Sequence, residues 1–317
     1  MTYARHELPD DAATLPQLPF WVTSGHTETL EDVAFRSGAV LTVLDQLVSD
    51  LRYDVPMRLL ANRLALSAAT ATSKLEGRQA READIRDAYH LTPPGEARGP
   101  DGDLLAFWRA AVRLRAGGTG EIADLVGADL AGEVGVWFDA GLERARTHGP
   151  LAGCSVVLRD VLAVDDRAER TACLLSDIVL ARALNWKTVL PVSAKRLTKA
   201  MLRDLISEGQ GAELAIQIRI LDSIEETIRL ARDLARRGDA LRVVAPKLRA
   251  KGSDAAVDLF LTEDAVAPAS MLSPCIRGTT IPMTSRAARR FCDRLVELGV
   301  ARELTGRSTF RLYGIAS

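Results

Sequence analysis

From Leu214 to Leu234 the apolar residues Leu214, Ile218, Leu221, Ile224, Ile228, Ala231 and Leu234 follow one another at intervals of three or four. Side chains at those intervals share one face of an α-helix. The segment therefore predicts a long amphipathic helix, and with it a core that the apolar face must pack against. The same period recurs upstream. Residues 30–51 carry it through Val33, Ser37, Val40, Leu41, Leu44 and Leu47 or Val48, and the stretch after Pro56 through Leu59, Leu60, Leu64, Ala68 and Leu75. A short helix is expected over 82–90, then one capped by Asp103 with Leu104, Phe107, Trp108, Ala111 and Leu114 on one side. Residues 121–126, 132–146, 151–162 and 170–185 are also helical by spacing, the third opened by Pro150. Gly77, Pro93-Pro94-Gly95 and Gly117-Gly118 punctuate the series. Alternation of the β type is scarce until the last fifteen residues. The expected fold class is mainly α: an irregular arm over 1–29, where Phe20 and Trp21 pin the chain to the body, then a helical array over 30–240.

Composition excludes several classes. An apolar share of 47 % with a net charge of −1 is the opposite of what a disordered chain needs. Charges break up every long apolar stretch, so no membrane span is expected. Met1 to Asp10 has no basic start leading into an apolar run, and the four cysteines (Cys154, Cys173, Cys275, Cys292) show no metal-ligand spacing. The expectation is a cytoplasmic protein with reduced thiols, no metal and no cofactor.

The charge is unevenly spread. Residues 241–317 hold 12 Lys+Arg against 7 Asp+Glu, so an acidic body carries a basic tail. That asymmetry suits a tail that meets an anionic partner. A short helix is expected over 254–262, whereas 264–282, with three prolines, reads as loop. Thr284 then caps a helix whose buried side is Ala288, Phe291, Leu295 and Leu298, with Gly299 at its end. Off that side lie Ser285, Arg286, Arg289, Arg290 and Asp293. Residues 300–304 and 309–313 flank Thr305-Gly306-Arg307-Ser308 as a hairpin, with Arg311 beside it. Helices followed by a ribbon with an arginine at its tip is the order of a winged helix-turn-helix over 241–317. Thr284, Ser285, Arg286, Arg289, Arg290, Arg307 and Arg311 are the expected DNA-contacting residues, since arginine forks reach guanine edges and phosphates. The alternative reading of the same surface is a protein partner, as in an adaptor or antitoxin, or a homodimer.

Residues 295–313 resemble the winged helix that closes many bacterial Fic-domain proteins. Leu190-Pro191-Val192-Ser193, and Glu208-Gly209 before the long helix, resemble other Fic segments. Thr72-Ser73-Lys74-Leu75-Glu76-Gly77 fits that family's inhibitory pattern, Ser/Thr-x-x-x-Glu-Gly/Asn. The resemblance implies that Thr72, Glu76 and Gly77 are a relic of that motif, with Glu76 paired to an arginine of the active-site loop, here Arg170. The active-site motif itself is degenerate. Leu162 stands where the general-base histidine would be, and leucine accepts no proton. Arg167 and Glu169 replace the two glycines whose amides would form an anion nest. Ala168 replaces the asparagine and Cys173 the second arginine. Only Asp166, at the metal-holding position, and Arg170 remain. The resemblance therefore implies a Fic-like body without AMP-transferase activity. As a whole the chain is most similar to an uncharacterised family of plasmid-borne alphaproteobacterial proteins, DUF1403, which shares the stretch Ala245 to Gly252 and the Gly306-Arg307 ending.

Other constellations read as structure. Asp165, Asp166 and Glu169 are an ordinary acidic helix start. Ser155, His148 and Asp160 lack a nucleophile elbow. Gly209-Gln210-Gly211 lacks the Lys-Ser/Thr of a phosphate loop. Trp108, Trp137 and Trp186 sit at core positions.

Overall fold

A computed structural model describes residues 14–316 apart from 26, 94, 115–118, 210, 249–250 and 308. Pro9, Pro94, Gly117-Gly118, Gln210, Arg249-Ala250 and Ser308 thus lie outside the described residues.

The chain is mainly helical with one small antiparallel sheet. Its helices are α1 (Phe20–Thr23), α2 (Leu30–Ser49), α3 (Met57–Leu75), α4 (Glu82–His90), α5 (Gly99–Ala111), α6 (Thr119–Val126) and α7 (Ala128–Ala131). They continue with α8 (Val134–His148), α9 (Pro150–Val164), α10 (Glu169–Ala183), α11 (Lys199–Ile206), α12 (Ala212–Val244), α13 (Ser253–Phe260) and α14 (Ser285–Glu297). The strands are β1 (Ala301–Glu303) and β2 (Tyr313–Ile315), with Arg302 opposite Gly314.

Local chemistry sets the boundaries. Thr29 and Asp32 form a capping box at the start of α2, each side chain accepting the other's backbone N–H at 3.1 Å. Pro150 occupies the first turn of α9, where its missing N–H costs nothing. The buried positions of α2 are Val33, Ser37, Val40, Leu41, Leu44 and Leu47, the set its spacing predicts.

The long helix α12 spans 33 residues and is enclosed more widely than a single stripe. At its start Ile216 and Ile220 are buried while Leu214 and Ile218 are only partly so. α2 and α9 both pack on it, and Arg36 of α2 donates to Glu225 of α12 at 2.8 Å. Because α12 runs to Val244, the expected boundary at 240 falls inside a helix.

α8 and α9 meet at bare backbone. A Cβ on Gly141 would lie 2.5 Å from Val157 Cγ2, and one on Gly153 would lie 2.5 Å from the Gly141 carbonyl oxygen. Only glycine at both crossing points permits that separation.

Several expectations are corrected. Asp103 caps nothing: α5 begins four residues earlier, with Pro100 in its first turn. Phe20 and Trp21 do not anchor the arm, being 82 % and 60 % exposed. Val22, from the same turn, is buried in their place. The C-terminal ribbon is joined by nine residues (304–312) rather than four, because its second strand is 313–315. The helix before α14 is α13, which ends at Phe260, so among the described residues no α-helix stands directly ahead of α14 where a helix-turn-helix places one. A π-helical turn over Pro268–Leu272 and a backbone hairpin over 275–282 take its place.

Candidate functional site

Glu76 caps the end of α3, and Gly77 takes the left-handed φ of +80° that lets the chain turn away. This puts the Glu76 carboxylate against α10. Arg170 Nε donates to Glu76 Oε1 at 2.7 Å and Arg78 Nη2 to Glu76 Oε2 at 2.8 Å. The Arg170 guanidinium also lies over the Phe107 ring, 5.1 Å from its centroid. Both oxygens of Glu76 are thus engaged, one of them by Arg170, the partner that the family resemblance implies. Thr72 is fully buried and spent on the core: its hydroxyl donates to the Ala68 carbonyl at 2.8 Å and accepts from Trp108 Nε1 at 3.0 Å.

The segment between α9 and α10 places its side chains in different surroundings. Leu162 is buried among apolar neighbours, and Asp166 and Arg167 point outward. Asp165 Oδ1 accepts the Arg167 backbone N–H at 2.9 Å, a local turn rather than an open nest. Glu169 is buried, with Oε1 2.9 Å from Lys199 Nζ. Cys173 is enclosed, and burial pushes its thiol well above the ordinary range. Among the described residues no group of three His, Cys, Asp or Glu is placed to hold a metal ion. Ser155 donates to the Leu151 carbonyl at 3.1 Å while His148 contacts Thr147, so the two do not meet.

Two buried ionisable features have no counterpart in the sequence reading. Asp177 sits inside α10 with Oδ1 accepting the backbone N–H groups of Val192 and Ser193 at 3.1 and 2.9 Å. Burial drives its carboxyl up to about 7, against the pull of those bonds. It holds the Leu190–Ser193 stretch against the core. The second feature lies between α5 and the segment after α13. Arg109 pairs with both Glu263 and Asp264, and His90 Nε2 stands 3.2 Å from Asp264 Oδ1. Burial alone would raise the Asp264 carboxyl, but His90, Arg109 and Arg63 outweigh it and hold it at about 2. A charged residue in the middle of an apolar run, Arg109 within 104–111 and Asp177 within 174–180, was the available signal for both.

The basic surface stands on α14. Thr284 Oγ1 accepts the Ala287 N–H at 3.3 Å, and Ala288, Phe291, Cys292 and Leu295 anchor the helix. Arg286, Arg289 and Arg290 are exposed on its other side with no acidic partner among the described residues. Ser285 contacts Ser273, Oγ to Oγ, at 3.0 Å. Arg311 is exposed and donates to the Arg307 carbonyl at 3.0 Å. Arg307 is exposed, and its Nη2 lies 3.3 Å from Asp87 Oδ2 of α4. Arg86 of α4 donates to the Leu304 carbonyl at 3.1 Å, so the 304–312 loop is docked on the body at its start and at Arg307.

A helical array carrying a small C-terminal ribbon and a basic helix is the class these features define. The sequence matches the family described as protein of unknown function, DUF1403, over residues 6–315. The chain belongs to that family. A comparison with curated proteins found no match.

Proposed function

We propose that the chain is a non-catalytic regulatory protein that binds duplex DNA through α14, on a Fic-like body that serves as scaffold and sensor. The observation that carries the reading is the trio Arg286, Arg289 and Arg290, exposed together and free of acidic partners among the described residues. Unpaired guanidinium groups on one helix face offer forked donors to phosphates and base edges at little desolvation cost. The order of α13, a bridge between Val266 and Tyr313, α14, β1 and β2 supports a winged-helix-like unit. Buried Leu162 and Cys173 and the salt-bridged Glu169 and Arg170 support a body without transferase chemistry.

The test is fluorescence anisotropy of a labelled duplex with the full chain across a salt series. Wild type should bind with a steep salt dependence, and the triple variant Arg286→Ala, Arg289→Ala, Arg290→Ala should lose about three units of slope. Equal binding by both proteins would refute the reading.

The exposed aromatic side chains Phe20, Trp21 and Phe35 favour a second reading, an adaptor or self-associating protein. Under it, light scattering would show a dimer that Trp21→Ser with Phe35→Ser dissolves, and DNA binding would be absent.

A further inference from the structure

In a winged helix the loop after the recognition helix is the expected second contact. Here that loop is tethered to the body, with Arg307 Nη2 3.3 Å from Asp87 Oδ2 and the Leu304 carbonyl held by Arg86. The segment immediately before α14 has the opposite character. Residues 274–283 fold into a hairpin: Met283 N donates to the Pro274 carbonyl at 2.9 Å and Ile276 N to the Ile281 carbonyl at 3.0 Å. Cys275 and Pro282 form the bridge between those bonds. The Ser273–Ser285 contact fastens the base of the hairpin to the first turn of α14. Its tip, Arg277-Gly278-Thr279-Thr280, is wholly exposed. Thr279 fixes the turn, its hydroxyl donating to the Ile276 carbonyl at 2.8 Å and accepting the Ile281 N–H at 3.1 Å.

The hairpin rests on Gly252. That residue has φ +81°, and a Cβ there would lie 2.7 Å from Ile281 Cγ2 and 2.9 Å from Ile276 Cδ1. Lys251 precedes that glycine directly in the chain. Lys251 and Arg277 are both exposed, and neither has an acidic partner among the described residues. Arg277 stands on the hairpin whose base is fastened to the first turn of α14, the helix that carries Arg286, Arg289 and Arg290.

Resting on the DNA reading of α14, we infer that the 275–282 hairpin, and not the 304–312 loop, is the second element that meets the duplex, with Arg277 and Lys251 on backbone phosphates. Ammonium and guanidinium groups flanking a helix fix its register on a duplex without reading sequence. The exposed hydroxyl of Thr280 stands at the same tip and can donate to a phosphate oxygen.

The experiment uses the full chain and a labelled duplex in a potassium chloride series, with far-UV circular dichroism and thermal unfolding to establish that each variant is folded. Arg277→Ala and Lys251→Ala should each lower the slope of log K against log salt by about one, across unrelated duplex sequences. Arg307→Ala should leave slope and affinity as in wild type. If the Arg286, Arg289 and Arg290 triple variant loses binding while Arg277→Ala and Lys251→Ala keep it, the hairpin assignment is overturned and the α14 reading survives. A loss of slope in Arg307→Ala as large as in Arg277→Ala also overturns it. Binding that the triple variant retains in full overturns both readings. Binding of poly-glutamate but not of duplex would do the same and give the surface to an acidic protein partner. Should Arg277→Ala unfold, Arg277→Gln keeps the hydrogen-bonding stem and tests the same loss of charge.

Discussion

Arg170 and Glu76, 94 residues apart in the chain, meet through a 2.7 Å hydrogen bond that ties the end of α3 to the start of α10. The same carboxylate holds Arg78, and Phe107 lies under the Arg170 guanidinium. The pair is partly exposed, so solvent screening limits what it contributes. A double-mutant cycle with Glu76→Gln and Arg170→Met, read by denaturant unfolding, should give a coupling of about 1 kcal/mol. Additive effects of the two substitutions would mean that the contact organises nothing.

Arg109 stands in a different regime, because it neutralises two carboxylates inside the protein. Removing it leaves both acids buried without their guanidinium, a situation that costs about 3–5 kcal/mol. Arg109→Met should lower the unfolding free energy by that order. Because α5 and the segment after α13 are joined there, cooperative unfolding should also weaken. The cluster sets an acid limit as well. The Asp264 carboxyl is held at about 2 in the folded chain, below the 3.8 of a free aspartate. A depressed folded value contributes stability that is present above pH 4 and lost as pH falls towards 2. For this one group the loss is about 2 kcal/mol. Asp264→Asn should remove that part of the acid transition in a pH series of urea titrations.

Wherever one apolar face governs a segment, the sequence was readable. The bounds of α4 and the buried set of α2 follow from spacing alone, and Gly77 and Pro150 mark the boundaries their backbone preferences require. Legibility fails where long-range contacts override local signals. Asp103 reads as the cap of α5, yet the helix opens at Gly-Pro-Asp-Gly over 99–102, whose Gly102 packs within 3.1 Å (by its would-be Cβ) of the Ala88 carbonyl. The three prolines of 264–282 hide a hairpin whose bonds join residues five and nine apart. Of the candidate site, the Glu76–Arg170 pair and the exposed α14 arginines were legible from motif and helical phase. The contact of Arg307 with Asp87 was not, because Asp87 lies in a helix 220 residues earlier.

Asp177 gives the chain a second pH dependence, of opposite sign. Its carboxyl is raised to about 7 in the folded state by burial. Between pH 4 and 7 the unfolded chain has released this proton while the folded chain retains it, so stability falls as pH rises through that window. The loss is at most about 4 kcal/mol, with a plateau above pH 7. Asp177→Asn keeps an acceptor for the Val192 and Ser193 amides and removes the ionisation. Its stability should therefore be flat from pH 4 to 7 where wild type declines, as chemical unfolding at several pH values would show. A variant whose slope matched wild type would place the proton elsewhere.

The crossing of α8 and α9 yields the sharpest steric prediction. At Gly153 an added methyl would stand 2.5 Å from the Gly141 carbonyl oxygen and 2.9 Å from the Ala145 Cβ. Neither neighbour is the free end of a flexible side chain, so the helices themselves must part. Overpacking of this kind costs about 1–3 kcal/mol. At Gly141 the first contact is Val157 Cγ2, at 2.5 Å, with both methyls of Val179 behind it. A valine can be shortened where a backbone cannot. Gly141→Ala should therefore be rescued in part by Val157→Ala, whereas Gly153→Ala should not be. Thermal unfolding of the two single variants and of the two doubles containing Val157→Ala measures the difference. Rescue of Gly153→Ala by the valine change would place the close approach at the side chains and not at the helix backbones.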